Sequence, residues 1–422
     1  MKKRVVITGV GPVTSSGIGK DLFFENIMNM GGVAKKIPDS FSKRYDYRSK
    51  YYVPFPGFEF KDYGISTQFN SIMQNEDRLA ILGTKLALED AGIEIEKTDS
   101  SFKIEGSENA SVILGIGMSS LDSAFSSYLA HIGVKHPDSK DEKSNHFNRM
   151  IIPMMMSNSP VAWTSIFFQL QGASHSVNAS CASGTIAIGE AYRQISEGRT
   201  DLAITGGVES LVDKDGATMR GFDTIGALTT ANDGISRPFS KNRSGFLFAE
   251  GGGAVLVLEE MEQAVKRGAR IYAEIVDYAE NCDAFNIVKL DNDGDQISKI
   301  LKQLSVNRKI DYLNAHGTGT LLNDETESLA IKRIFGKKEN QPFINSTKGI
   351  MGHTIGGSGA IETVVTALAI SNSRIHGNYT DQEMEDINYT EKSVETNVKE
   401  AITVSFGFGG HNAGLLLKEF RQ

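Results

Sequence analysis

Cysteine is scarce, with two in 422 residues, Cys181 and Cys282, far apart and without metal-type spacing. That excludes a disulfide framework, supports no zinc site, and points to a reducing compartment, the cytoplasm. Long apolar runs are also missing. No stretch approaches the ~18–20 residues a membrane span needs. The early run Val5-Val6-Ile7-Thr8-Gly9 is too short and too glycine-broken for a signal peptide. Positive charge is not in excess: the formal net charge is −8. Nucleic acid is therefore not expected as a partner, although a local basic patch for an acidic protein stays open. A dinucleotide fingerprint is lacking as well. Thr8-Gly9-Val10-Gly11 and Ser15-Ser16-Gly17-Ile18-Gly19 are glycine-rich, but Pro12 and Val13 stand where a phosphate turn needs glycine. None of the 12 tyrosines has a lysine four residues later. Both absences count against a nucleotide-dependent oxidoreductase.

What remains is an ordinary globular composition, 40% hydrophobic and with 43 glycines. Short apolar strands alternate with helical periodicity, which predicts an α/β fold. Strands are expected over 3–10, 110–117, 201–205, 254–258, 270–278, 310–315, 343–346 and 401–406. Gly206-Gly207 is expected to end the third of these. Helices are expected over 76–91, 151–171, 182–198, 323–334 and 359–371, with Asn323 or Asp324 as a cap. Met154, Met155 and Met156 are expected in the core, and 130–144 is expected to be a loop. The chain is divided at 268/269, and no internal sequence repeat is visible.

One stretch organises the rest: Ser174 to Thr185, with Cys181 between an apolar run and a helix. A cysteine at a strand-to-helix turn lies at the positive end of the helix, where a thiolate is favoured. Its neighbours Ala179, Ser180, Ala182 and Gly184 are small enough for a substrate to approach. A buried cysteine in the core fits this local pattern too. Three more strand ends carry polar groups. They are His316 in His-Gly-Thr-Gly-Thr, Lys348 with His353, and the loop Gly407-Phe408-Gly409-Gly410. In α/β sheets functional groups gather at strand ends. Thiol plus imidazole makes a cysteine nucleophile, and a second imidazole suggests stabilisation of a second negative charge.

VNASCASGT, NAHGTGT, STKGIMGHTIGGSGA and SFGFGGHNAG, in this order, resemble the elongating β-ketoacyl-[acyl-carrier-protein] synthases of the thiolase superfamily. ISRPFSKNRSGFLFAEGGGAVLVLEE is similar to them as well. The resemblance runs from Arg4 to near Leu417. It implies a thiolase-like fold of two similar βαβαβαββ halves, 1–268 and 269–422, in αβαβα layers, and usually a dimer. It implies a Cys181-His316-His353 site with no metal and no cofactor. Lys348 would set the local field, with Glu327 as its partner. Phe408 and Gly409 would form the oxyanion and gate region. Thr318 and Thr320 would bind a phosphopantetheine arm, and Met118 would stand at the pocket end. The implied partner is an acyl carrier protein. The implied reaction is decarboxylative condensation with a malonyl thioester, in fatty-acid or type II polyketide synthesis. A chain-length-factor-like subunit is a further implied partner, and a non-catalytic subunit of that kind is the alternative role. The initiating branch would carry Asn at His353, and degradative thiolases a second cysteine near Gly410-His411. Two features depart from the family. The loop after Asp283-Ala284-Phe285-Asn286 is short and lacks a histidine. Asn75-Glu76-Asp77 is acidic where some members place basic carrier-docking residues. Both lean the reading toward a specialised, polyketide-type enzyme.

Overall fold

The computed structural model describes all residues except 1, 44, 105, 107, 119, 120, 135–147, 382, 383, 385 and 422. Ten strands carry the architecture. β1 (Val5–Thr14), β2 (Ser111–Gly115), β3 (Ser174–Val177), β4 (Leu202–Ser210) and β5 (Gly251–Glu260) come first in the chain. β6 (Ala273–Cys282), β7 (Tyr312–Asn314), β8 (Phe343–Asn345), β9 (Glu400–Gly407) and β10 (His411–Lys418) follow. They hydrogen-bond in the order β8-β7-β9-β10-β6-β1-β5-β4-β2-β3. Within each set of five the pairing scheme is the same. The first strand runs antiparallel to the fifth and the fifth antiparallel to the fourth. The fourth is parallel to the second and the second to the third. This duplication is invisible as a sequence repeat, because strand order depends on which faces are apolar rather than on residue identity.

β1 and β5 are buried along their whole length, ten residues each. Strands covered on both faces read as apolar runs without alternation. The covering layers include α1 (Asn75–Asp90), α2 (Ser183–Ser196), α3 (Leu321–Phe335) and α4 (Ser358–Asn372). α2 and α4 pack on each other and touch strands of both sets, which makes them the middle layer. α4 is buried from Ser358 through Ile370. Glycine allows the two helices to meet at backbone distance: a Cβ on Gly359 would stand 2.1 Å from Thr185 Oγ1. Among the described residues no helix is long and apolar enough to cross a membrane.

Several expectations change. β4 runs on through Gly206-Gly207 to Ser210. A Cβ on Gly207 would lie 2.6 Å from Gly356 O, so close approach, not strand termination, demands the glycine. The 151–171 segment is two helices, Ile151–Met155 and Ser159–Phe168, because Pro160 starts a new helix. Met155 and Met156 are exposed, not core. α3 begins one turn earlier than expected. Thr320 takes the cap position, while Asp324 turns back to accept from Gly319 N at 3.1 Å and Phe239 N at 2.7 Å. Of the loop expected over 130–144, residues 130 and 131 end a helix, Leu121–His131, and 135–144 lie outside the described residues. Glu76 and Asp77 are buried in the first turn of α1, where Asp77 accepts from Gln74 N at 2.7 Å. They are capping and core groups, so they say nothing about a docking surface, and that part of the polyketide argument falls away.

Candidate active site

Cys181 lies in a single turn, Ser180–Ala182, between β3 and α2. Ser180 adopts φ 53°, the left-handed region that a non-glycine residue enters at a cost. Ser183 holds this turn, accepting from Ala179 N at 2.9 Å and donating to Ser180 O at 2.6 Å. The turn aims the thiol into a cavity of about 160 Å³. Its walls include Met118, Phe222, Phe246, Val288, Leu290, His316, Thr318, Thr320, His353, Ile355 and Phe408. Burial pushes the Cys181 thiol up to about 11, against the pull of Ser180, the Lys348 charge and the Phe408 N–H. Desolvation thus opposes the preference for the thiolate expected at the helix end.

His353 Nε2 lies 3.2 Å from Cys181 Sγ. The other ring nitrogen, Nδ1, accepts from Ile355 N at 3.3 Å and sits 2.8 Å from Ser358 Oγ. A nitrogen that accepts from a backbone N–H carries no proton, so this network assigns the proton to Nε2. His316 is oriented by the same logic. Its Nδ1 is 3.2 Å from Lys348 Nζ, and an ammonium only donates. The neutral His316 ring therefore also carries its proton on Nε2. Burial first, then the nearby Lys348 charge, holds both imidazoles well below the ordinary histidine range. The rings stand edge to face, with centroids 5.7 Å apart.

Lys348 is almost fully buried and also donates to His316 O at 2.8 Å. Its carboxylate partner is Glu362 on α4, in a short direct ion pair. The expected pairing with Glu327 is thus corrected. Glu327 accepts from His316 N and Gly317 N, each at 2.8 Å, so its two oxygens are committed to fixing the His316 loop. Thr318 and Thr320 line the cavity with their hydroxyls 2.9 Å apart. Phe408 lines it too, and its backbone N–H is among the groups that favour the ionised Cys181 sulfur against burial. Gly409 does not serve an oxyanion, because its N–H donates to Ile287 O at 2.8 Å. Met118 stands in the cavity wall, as expected of a pocket residue. The short loop after Asp283 supplies Val288 and Leu290 to the cavity and leaves Phe285 and Ile287 exposed.

Sequence reasoning missed Glu362, Ser358 and Glu209. Each is a polar residue inside an otherwise apolar or glycine-rich element, and that mismatch was the available signal.

The arrangement offers a thiol, two neutral N–H donors and a backbone N–H around one apolar cavity. Such a set can hold an acyl group covalently and stabilise negative charge on a second thioester. Comparison with known proteins agrees. The family model "Beta-ketoacyl synthase, N-terminal domain" matches residues 2–264, and "Beta-ketoacyl synthase, C-terminal domain" matches 272–380. The 3-oxoacyl-[acyl-carrier-protein] synthase 2 of Synechocystis is 32% identical over 441 residues, covering 100% of this chain and 99% of the relative. Among solved structures, a β-ketoacyl synthase from Burkholderia phymatum has TM-score 0.83 and 29% identity, covering 99% of this chain and 100% of that one. The ishigamide ketosynthase/chain length factor has TM-score 0.85 and 25% identity, with full coverage of both chains. The chain belongs to the β-ketoacyl synthase family, on a thiolase-like fold.

Proposed function

We propose that the protein is a β-ketoacyl-[acyl-carrier-protein] synthase that elongates an acyl chain held on Cys181, in type II polyketide or fatty-acid biosynthesis. The observation that carries this is the 3.2 Å contact between Cys181 Sγ and His353 Nε2 in a cavity that His316 also lines. Cys181 attacks the carbonyl of an acyl thioester, and the N–H groups of Cys181 and Phe408 take the oxyanion. The carrier thiol leaves with the cysteine proton. A malonyl thioester follows. The Nε2–H groups of His316 and His353 donate to its thioester oxygen and stabilise the enolate as carbon dioxide departs. The enolate carbon attacks the acyl-Cys181 carbonyl, the C–S bond breaks to release the Cys181 thiolate, which takes a proton from water, and the β-ketoacyl product carries two more chain carbons.

Lys348 and Glu362 position His316. Thr318 and Thr320 bind the phosphopantetheine arm, Phe408 gates the cavity, and Met118 ends the acyl pocket. The partners are an acyl carrier protein and either a second copy or a chain-length-factor-like subunit. The halves divide at 268/269, and the enzyme works in the cytoplasm, in keeping with its two free thiols. Intact-mass measurement after incubation with acyl carriers of several lengths tests the reading. The wild type is expected to gain one acyl mass and Cys181→Ala none. A C181A protein that still condensed acyl and malonyl carriers would overturn it. A wild type that loads no acyl group, alone or with its partner, would leave the non-catalytic subunit role.

A further inference from the structure

Glu209 is fully buried at the end of β4, and the proposed chemistry does not use it. Its carboxylate has three backbone partners from two segments. Oε2 accepts from Gly117 N at 3.0 Å and Gly356 N at 3.0 Å. Met118 N lies 3.1 Å from Oε1 and 3.2 Å from Oε2. The first segment follows β2 and presents Met118 to the cavity, and the second presents Ile355. Ile355 sits at φ 48°, a conformation that a β-branched residue adopts only under external constraint. Both glycine donors are obligatory. A Cβ on Gly117 would stand 2.3 Å from Glu209 Oε2, and one on Gly356 would stand 2.2 Å from Gly117 N.

We infer that Glu209 is a positioning residue that sets the acyl length the cavity accepts, by clamping its Met118 and Ile355 walls to each other. The inference rests on the proposed acyl loading of Cys181. One carboxylate bridges two turns whose glycine backbones already touch, so it fixes the register in which the Met118 and Ile355 walls meet. Without the acceptors, Gly356 and Met118 lose their anchors, and Ile355 keeps only the 3.3 Å bond from its N–H to His353 Nδ1 to hold its left-handed conformation. The end of the pocket then moves, while the turn holding Cys181 keeps its own Ser183 bonds.

The test is acyl loading of the full-length protein from acyl thioesters, butyryl to dodecanoyl, read as the ratio of long-chain to short-chain rates. Glu209→Met keeps the shape and removes every acceptor. It should change this ratio by about tenfold, the scale at which apolar pockets discriminate by chain length. Glu209→Gln retains one oxygen within reach of the three N–H groups and should restore a ratio close to wild type. If Glu209→Met does not fold, Glu209→Asp, which draws the carboxylate back by one methylene, should shift the ratio in its place. In a Met118→Ala background the effect should shrink, since one clamped wall is gone. An unchanged ratio, or equal losses at every length, would overturn the clamp and leave the proposed function standing. A wild type that loads no acyl group at any length would overturn both.

Discussion

Lys348→Met removes a buried ammonium and leaves Glu362 facing a methyl thioether. In the wild type, burial pushes Glu362 up to about 7 while the Lys348 charge pulls it back down. Without that charge the carboxyl stays protonated to higher pH. The sign follows from linkage. Both folded values lie above the unfolded one, so the penalty to the variant appears as pH rises through the wild-type value. Below about pH 6 wild type and variant both carry the proton, and the difference between them is flat. At pH 8.5 the wild type holds a paired carboxylate and the variant cannot, which costs about 2 kcal/mol at ~1.4 kcal/mol per pH unit. Unfolding entropy near 2.1 cal/mol/K per residue gives ~0.9 kcal/mol/K for this chain, so the extra loss is about 2 °C in Tm. Glu327 also feels Lys348 and moves in the same direction. The assay is thermal denaturation of wild type, Lys348→Met and Lys348→Met/Glu362→Gln at pH 6 and 8.5. The gap should widen with pH in the single variant and widen less, or narrow, in the double, which has lost the titrating Glu362 carboxyl and keeps only the Glu327 response. A gap equal at both pH values, or one that widens as much in the double variant, would refute the assignment of Glu362 as the lysine's partner.

Cys181 should alkylate with iodoacetamide about tenfold faster per pH unit from pH 7 to 10, because burial pushes its thiol up to about 11. A rate plateau near pH 7, read by peptide mass for Cys181 separately from Cys282, would contradict a resting thiol. Gly407→Ala places a Cβ 2.6 Å from Ala179 O and 3.2 Å from Cys181 N. Acyl loading should fall about a hundredfold, the scale at which misplacing a reacting group by an ångström acts, and loading within threefold of wild type would count against the tight fit. Wild-type Tm should fall between pH 6.5 and 8. Burial pushes Glu209 and Glu327 up to about 8, so the stability of their protonated forms is lost as pH rises through that value. The opposing effect of His376, pushed down to about 4, is spent below the ordinary histidine range. A Tm that rises over this window would show that both carboxyls are ionised in the folded protein.

The groups that the fold gathers around Cys181 were legible because each carries a local signature. Cys181, His316, Lys348 and His353 all follow short apolar runs and stand among Gly, Ser and Thr, where a strand end meets a turn. Their mutual arrangement was not legible. The resemblance implied Glu327 as the lysine's partner, whereas Glu362 sits in a helix that reads as core. Choosing between them requires knowing that α4 is the middle layer of the fold, and that is a tertiary fact. The same limit misplaced Glu76 and Asp77, whose charge reads as surface although both are buried beneath the start of α1. Gly409 failed for a subtler reason. Its N–H is used by Ile287, in the very loop that departs from the family pattern.

These buried charges also explain how neutral groups can run the proposed condensation. Two imidazoles in one apolar cavity would be poor hydrogen-bond donors if either tautomer could flip, and poor partners for an enolate if either were protonated. Lys348 settles both questions for His316. Its ammonium must donate to Nδ1, which leaves the proton on Nε2, and its charge opposes a second proton on the ring. For His353 the Ile355 N–H sets the tautomer, and burial with the same Lys348 charge keeps the ring neutral. The charge needed for this is kept one layer behind the cavity, paired with Glu362, and the described residues that line the cavity carry no ion. A pair that contributes little net stability is thus accounted for by the tautomer it imposes. Exchanging it for an apolar pair of equal volume should then cost far more in malonyl decarboxylation than in Tm.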